Sequence, residues 1–263
     1  MIKKFISFFI SFILITVMLF NINVFANENQ GITYEEFKQA QADGYIGEDI
    51  TYEDWLNLIS LNNQLEESLE NSNDFNKIYD SSEYISTYAT NTTSIPLLKK
   101  GDIIVTNGTS FYGITGHAAI AIGEDDILHI AGPGEKPKVV PRKDFYDRYV
   151  NSWYDWIKIY RPNVYLYGSK AANWAERVYR YSNATYKINT DIFSTDETYC
   201  SKIVFQAYKF GANTEDAFYW TYDSNTGYQG NGYYITFGII APYNLSSLIK
   251  SDYIYKVDQN ENK

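Results

Sequence analysis

Between Gly101 and Ala131 the chain passes through three short apolar runs separated by tight turns, and these fix the local architecture as strands. Gly101-Asp102-Ile103-Ile104-Val105 is β-branched and follows a Lys-Lys-Gly turn. The run 117–122 is a second, closed by Gly123 and the acidic turn Glu124-Asp125-Asp126, and 127–130 is a third, ended by Gly132-Pro133-Gly134. Runs joined by turns this short are antiparallel neighbours. The second and third carry the two histidines of the whole protein, His117 and His129. Residues 138–141 add an edge strand, 144–150 a short helix, and the alternating run 156–162 a further strand stopped by Pro162.

Beyond that sheet, the spacing of Trp174, Val178 and Tyr181 predicts a helix over about 170–181, and 183–197 reads as loop. Thr198 is placed to cap a helix beginning at Cys200, with Ile203, Val204, Ala207 and Phe210 on its buried face and Gly211 as its stop. Residues 213–232, rich in Gly, Asn and Tyr, form a long loop near that helix. The tail supplies a strand at 233–236, a turn or helix at 242–250 and a last strand at 253–255.

The first 26 residues have the pattern of a targeting segment: Lys3 and Lys4, an apolar core from Phe5 to Phe20, and Val24-Phe25-Ala26 as a small-residue cleavage site. The apolar run is short for a membrane span, which needs about 20 residues. Cleavage after Ala26 is therefore expected, giving a secreted or envelope-associated chain with no membrane span in its mature form. Residues 27–95 read as a helical region and linker. Thr33 and Thr51 each begin a Thr-Tyr-acid motif suited to a capped helix start, and Trp55, Ile59, Leu65 and Leu69 follow a period near 3.6. Packing is the default role for such helices; a pro-segment or a targeting module are the alternatives. Residues 96–263 form the main domain.

The charge balance, 22 basic against 32 acidic residues, excludes a nucleic-acid surface, which needs a basic footprint. One cysteine excludes an internal disulfide. A free cysteine is most often a buried, inert one. Cys200, however, falls in the first turn of its helix, where free N–H groups and the positive dipole end favour a thiolate. His117 opens a strand after Gly-Ile-Thr-Gly, so its imidazole stands at a strand end and suits the base of a thiol nucleophile. The turn at 123–126 returns His129 beside it, where it would orient the base through one ring nitrogen. Each histidine alone would be an ordinary strand residue with a polar partner; the three together point to cysteine catalysis. Zinc is the competing chemistry for one Cys and two His. No C-x-x-C or H-x-x-x-H spacing occurs, and no metal or cofactor is called for.

Gly101-Asp102-Ile-Ile, Thr115-Gly116-His117-Ala-Ala-Ile, Ile127-Leu128-His129-Ile and Tyr199-Cys200-Ser201-Lys-Ile-Val together resemble the permuted, YiiX-like branch of the NlpC-type papain-like cysteine peptidase superfamily, over roughly residues 97–255. The Cys helix follows the His strand here, as in that branch. His at the third position is similar to the unpermuted cell-wall enzymes, whereas YiiX-like members often have an acid. The resemblance implies an α+β, papain-like (circularly permuted NlpC-type) fold with a small antiparallel sheet packed on the Cys helix. It implies Cys200 as nucleophile, His117 as base, His129 as third polar residue and Tyr186 beside the oxyanion site. The expected function is an exported cysteine hydrolase cleaving an amide bond, in peptides of the cell wall, through an acyl-enzyme. The partner is then a cell-wall peptide or another amide or ester substrate. An acyltransferase or lipid hydrolase on the same fold is the alternative, and a non-catalytic cell-wall or surface binding module is the rival class, motivated by the 26 tyrosines. Oligomeric state is not readable from the sequence.

Overall fold

The computed structural model describes residues 32–71, 97–219, 221–223, 227–229 and 238–258. The expected leader, the linker at 72–95 and the strand at 233–236 lie outside the described residues. Of the loop at 213–232, residues 213–219 are described, with a 3₁₀ turn at Glu215–Ala217, together with two short paired strands, β8 (Thr221–Asp223) and β9 (Gly227–Gln229).

Helix α1 spans Tyr34–Ala42 and α2 spans Tyr52–Asn71. Both begin as the sequence expects. Thr33 and Glu36 form a reciprocal capping box, and Thr51 and Asp54 reproduce it, with Asp54 N–H donating to Thr51 Oγ1 at 3.1 Å and Thr51 N–H to Asp54 at 3.3 Å. Such boxes satisfy helix-start donors that would otherwise have no partner.

The central sheet comprises β1 (Ile103–Phe111), β2 (Ile114–Ala121), β3 (Asp126–His129), β4 (Lys138–Pro141), β5 (Trp156–Pro162) and β10 (Ser251–Asp258). Its order is β10-β5-β1-β2-β3-β4 and every pairing is antiparallel. This is an α+β fold. Side chains alternate across the sheet, and the alternation sorts them into two cores. Ile103, Val105, Ala118, Ile120 and Leu128 face a large cluster with α1, α2, helix α4 (Tyr165–Tyr179) and helix α5 (Cys200–Gln206). Ile104, Ala119, Ala121, Ile127 and Ile157 face a smaller one covered by α3 (Arg142–Tyr149), through Phe145, Tyr146 and Tyr149.

Several elements differ from expectation. The segment 183–197 is not wholly loop: β6 (Thr185–Tyr186) pairs in parallel with β7 (Glu197–Thr198). Thr198 therefore belongs to a strand and does not cap α5; Tyr199 holds the cap position without a side-chain bond. Gly211 does not stop the helix either. α5 continues as a π-helical turn, Ala207–Ala212, and ends at Asn213 in the left-handed region, φ 52°. Asn is among the few residues that adopt that conformation readily. The last strand starts earlier and ends later than its aromatic core at 253–255, and a 3₁₀ turn, Pro242–Asn244, leads into α6 (Leu245–Leu248).

The N-terminal helices are part of this packed unit. Trp55 is fully buried and its Nε1–H donates to Tyr112 O at 3.0 Å. Asn62 donates to Thr115 O and Thr115 Oγ1, both at 3.0 Å, and Thr115 Oγ1 donates to Glu66 at 2.6 Å. Helix α2 thus fixes the residues that immediately precede His117. Among the described residues, no helix is long and apolar enough to cross a membrane.

Candidate active site

The start of β2 determines where His117 stands. Gly116 has φ +94°, and a Cβ there would lie 2.7 Å from the Tyr243 ring. Only glycine meets both conditions without strain, which accounts for the Thr-Gly-His spelling. His117 is in step with Ala119 and so falls on the α3 face of the sheet. Its ring stacks on Tyr149, centroids 4.8 Å apart at 19°, with Phe145 at 6.0 Å and 28°. His129 shares that face and meets Phe145 edge-on at 5.2 Å and 78°. As expected from the turn at 123–126, the two imidazoles come together: His117 Nε2 and His129 Nδ1 are 2.9 Å apart. One donates to the other according to tautomer. Nδ1 of His117 makes no hydrogen bond among the described residues.

Cys200 belongs to the opposite core. Its helix start is clamped by residues on either side. Tyr199 Oη accepts from Ile240 N–H at 3.1 Å, and Ser201 Oγ donates to Ile240 O at 2.5 Å. The sulfur reaches the sheet at the N–H of Ala118, the residue after His117. The thiol makes no hydrogen bond to either imidazole among the described residues. Cys200 and His117 therefore lie towards opposite faces of the sheet, and the thiol meets the backbone of β2 at the residue after His117. Tyr186 is drawn to the same place because β6–β7 pairing sets it opposite Thr198, two residues before Cys200. It is buried, lies edge-on to Phe111 at 5.4 Å, and feels the charge on Cys200.

Electrostatics correct one expectation. Burial pushes the Cys200 thiol up, and wins over the N–H groups of Ala118, Ser201 and Cys200 and the Ser201 hydroxyl, which favour the thiolate. The helix start does not by itself produce a resting thiolate. Burial also holds His117 well below its usual range, helped by His129 and Arg148. His129 is brought down to about 3 by burial, Lys138 and Arg148. Burial thus favours the neutral form of the thiol and of both imidazoles. Among the described residues, no group of three or more His, Cys, Asp or Glu is arranged to hold a metal ion.

Sequence reasoning missed Tyr149, Phe145 and the Ile240 clamp. Nothing distinguished Tyr149 among 26 tyrosines, although Gly108 carries an indirect signal. A Cβ at Gly108 would lie 2.0 Å from Tyr149 O, so glycine is what allows the end of α3 to close on β1.

The α+β fold thus sets a lone buried thiol against the strand that carries one of a pair of hydrogen-bonded histidines. The sequence model for lipoprotein N-acylation LnsA-like proteins matches residues 71–255, and the chain belongs to that family. An uncharacterized 30.3 kDa protein of Bacillus thuringiensis is 34% identical over 164 residues, which are 59% of this chain and 55% of that protein. The chain thus spans about half the length of that relative. No solved structure matches. The family favours acyl transfer, the alternative in the sequence analysis, over cleavage of cell-wall peptides.

Proposed function

We propose that this protein is a cysteine-dependent acyltransferase that moves a fatty acyl group from a lipid ester onto an amine, the N-terminal amine of a lipoprotein. The observation that carries this is the convergence at the start of β2. Cys200 Sγ meets the N–H groups of Ala118, Ser201 and Cys200, and Ala118 directly follows His117, which is paired with His129, in a chain of the LnsA-like family.

The chemistry follows from the protonation states. With His129 accepting from Nε2–H, Nδ1 of His117 is the basic nitrogen, and it takes the thiol proton as sulfur attacks the ester carbonyl. The S–C bond forms, the C–O bond breaks, and the departing alkoxide takes the proton back from His117. The acyl chain is then a thioester on Cys200. In the second half the amine attacks this carbonyl, the C–N bond forms, the C–S bond breaks, and His117 carries the amine's proton to the sulfur. Neutral resting imidazoles suit this work, since a base must be unprotonated before it acts.

Burial supports transfer over hydrolysis. Cys200 is 7% exposed, and a thioester held away from water survives until an amine arrives. Papain-like kinship, in its permuted form, is part of this proposal and rests on the order of the His strand and the Cys helix. The leader-like pattern expected at 1–26 fits a workplace at the outer face of the membrane, where both lipid donor and lipoprotein acceptor would be found.

The test supplies the full chain with phospholipid vesicles and a synthetic diacylglyceryl-cysteinyl peptide. N-acyl peptide should accumulate, and Cys200→Ala should abolish it with the fold intact. Free fatty acid as the sole product would make the protein a lipid hydrolase. Cleavage of cell-wall peptides with no acyl transfer would return the reading to amide hydrolysis.

A further inference from the structure

The hydroxyl of Tyr149 has no place in the mechanism above, yet it stands next to the residues that the mechanism uses. The residue is buried and its Oη has no hydrogen-bond partner among the described residues. The Tyr243 hydroxyl shares that state but lies against Gly116, whereas four other buried tyrosines do have partners. Tyr146 Oη and Tyr255 Oη are 3.1 Å apart, Tyr208 Oη donates to Gly101 O at 2.5 Å, Tyr199 Oη accepts from Ile240 N–H, and Tyr179 donates to Gln206. A buried donor left without an acceptor is costly, so folds retain few of them.

The fold also goes out of its way to put this ring where it is. Gly108 gives up a side chain so that the Tyr149 backbone can close on β1, and the ring lies flat on His117 at 4.8 Å. Arg148 covers its outer face, with Cζ 5.6 Å from the centroid. Cys200 lies within electrostatic reach on the inner side, and so does Tyr186. Burial pushes the phenol's ionisation up, opposed by Arg148 and reinforced by Cys200, so the hydroxyl stays protonated and can only donate or accept a hydrogen bond.

We propose that the Tyr149 hydroxyl is a catalytic donor to the oxyanion formed when the Cys200 thiol, or later the amine, adds to the acyl carbonyl. This rests on the acyl-thioester reading above and adds a residue to it. The carbonyl oxygen gains a full negative charge at that step and loses it when the tetrahedral carbon collapses. No proton changes hands with Tyr149; it supplies one hydrogen bond that is absent in the resting enzyme. A preorganised donor with no competing partner stabilises the transition state and not the ground state, which is the condition for raising a rate.

The test separates a donor from a support for His117. Tyr149→Phe keeps the ring on His117 and removes only the oxygen. Two reactions of Cys200 are then compared in the full-length protein. Alkylation by iodoacetamide uses the thiol and its base but creates no oxyanion, whereas acylation by a p-nitrophenyl ester of a medium-chain acid does. The expected result is an alkylation rate and pH profile within about twofold of wild type, with an acylation burst slower by about 10²-fold, the usual effect of losing one oxyanion donor. Unchanged acylation would overturn the proposal. A parallel fall in both reactions would also overturn it, because Tyr149 would then act by positioning His117. Tyr149→Leu, which removes the ring too, should slow both reactions and shows what that second pattern looks like. Failure of the wild-type protein to be acylated at all would sink the acyl-thioester reading, and this role with it; acylation of wild type with an indifferent Tyr149→Phe sinks this role alone.

Discussion

Lowering the pH from 7 to 5 should destabilise this fold by several kcal/mol, through two side chains. The chain has only two histidines, and burial keeps both neutral in the folded state. His129 is held at about 3 and His117 well below its usual range. In the unfolded chain each imidazole titrates near 6.5. Above that value both states are neutral and the pair contributes no pH dependence. Below it the unfolded chain takes up protons that the folded chain cannot, so stability falls as pH falls. From pH 6.5 to 5, about one and a half units, the loss is about 2 kcal/mol for His129, and His117 adds a loss of the same sign. Together these are a large fraction of the ~5–15 kcal/mol that holds a typical fold. Carboxylates whose ionised form the fold favours, such as Asp49, titrate below this window. The assay is urea unfolding at pH 7 and pH 5, with the slope against urea checked for constancy. The double variant His117→Gln/His129→Gln should lose most of the pH difference. A wild-type loss under about 1 kcal/mol, or an equal loss in the variant, would refute the argument that both imidazoles are buried neutral.

Iodoacetamide labelling of Cys200 should speed up through the alkaline range, with a midpoint above the ordinary thiol value of about 8.5, because burial outweighs the helix start; a midpoint near neutrality would mean a thiolate–imidazolium pair instead. His117→Ala should lower acyl transfer by roughly 10²–10⁴-fold, the range for a general base. His129→Ala should lower it less, since His129 acts one hydrogen bond away. Asp102→Asn should cost about 3–5 kcal/mol in urea unfolding. Its carboxylate is fully buried, takes two bonds from Arg161 at 2.8 and 2.6 Å, and accepts Lys99 N–H at 2.8 Å.

Much of the sheet was legible because its signals are local. Gly-bounded β-branched runs set β1 to β3, and the turn at 123–126 returned His129 to His117, since a two-residue side-chain period leaves little freedom in register. The capped starts at Thr33 and Thr51 were legible for the same reason. What failed depended on distant partners. Thr198 looks like a cap only until β6 claims it as a strand. Gly211 looks like a stop, but it lies where a Cβ would meet Trp174 and the backbone of Ala171 and Lys170, so close packing against α4 explains it. The thiol's ionisation was misjudged because a helix start is visible in sequence while burial in the core is not. Tyr149 was invisible for a related reason. Its role depends on a ring stack with a strand some 30 residues earlier, and aromatic residues are too common here for identity alone to single it out. For the helices before residue 72 the amphipathic pattern indicated a packing role, but not that Asn62 and Glu66 anchor the residues leading into His117.

The central claim is that Cys200 carries the acyl group. The most direct measurement is the mass of the full-length protein, intact and as peptides, after incubation with phospholipid vesicles and no amine acceptor. The account predicts one fatty-acyl increment on Cys200, released by neutral hydroxylamine and absent from Cys200→Ala. An unmodified Cys200 under conditions where N-acyl product forms once the acceptor is added, or an acyl group on any other side chain, would contradict it.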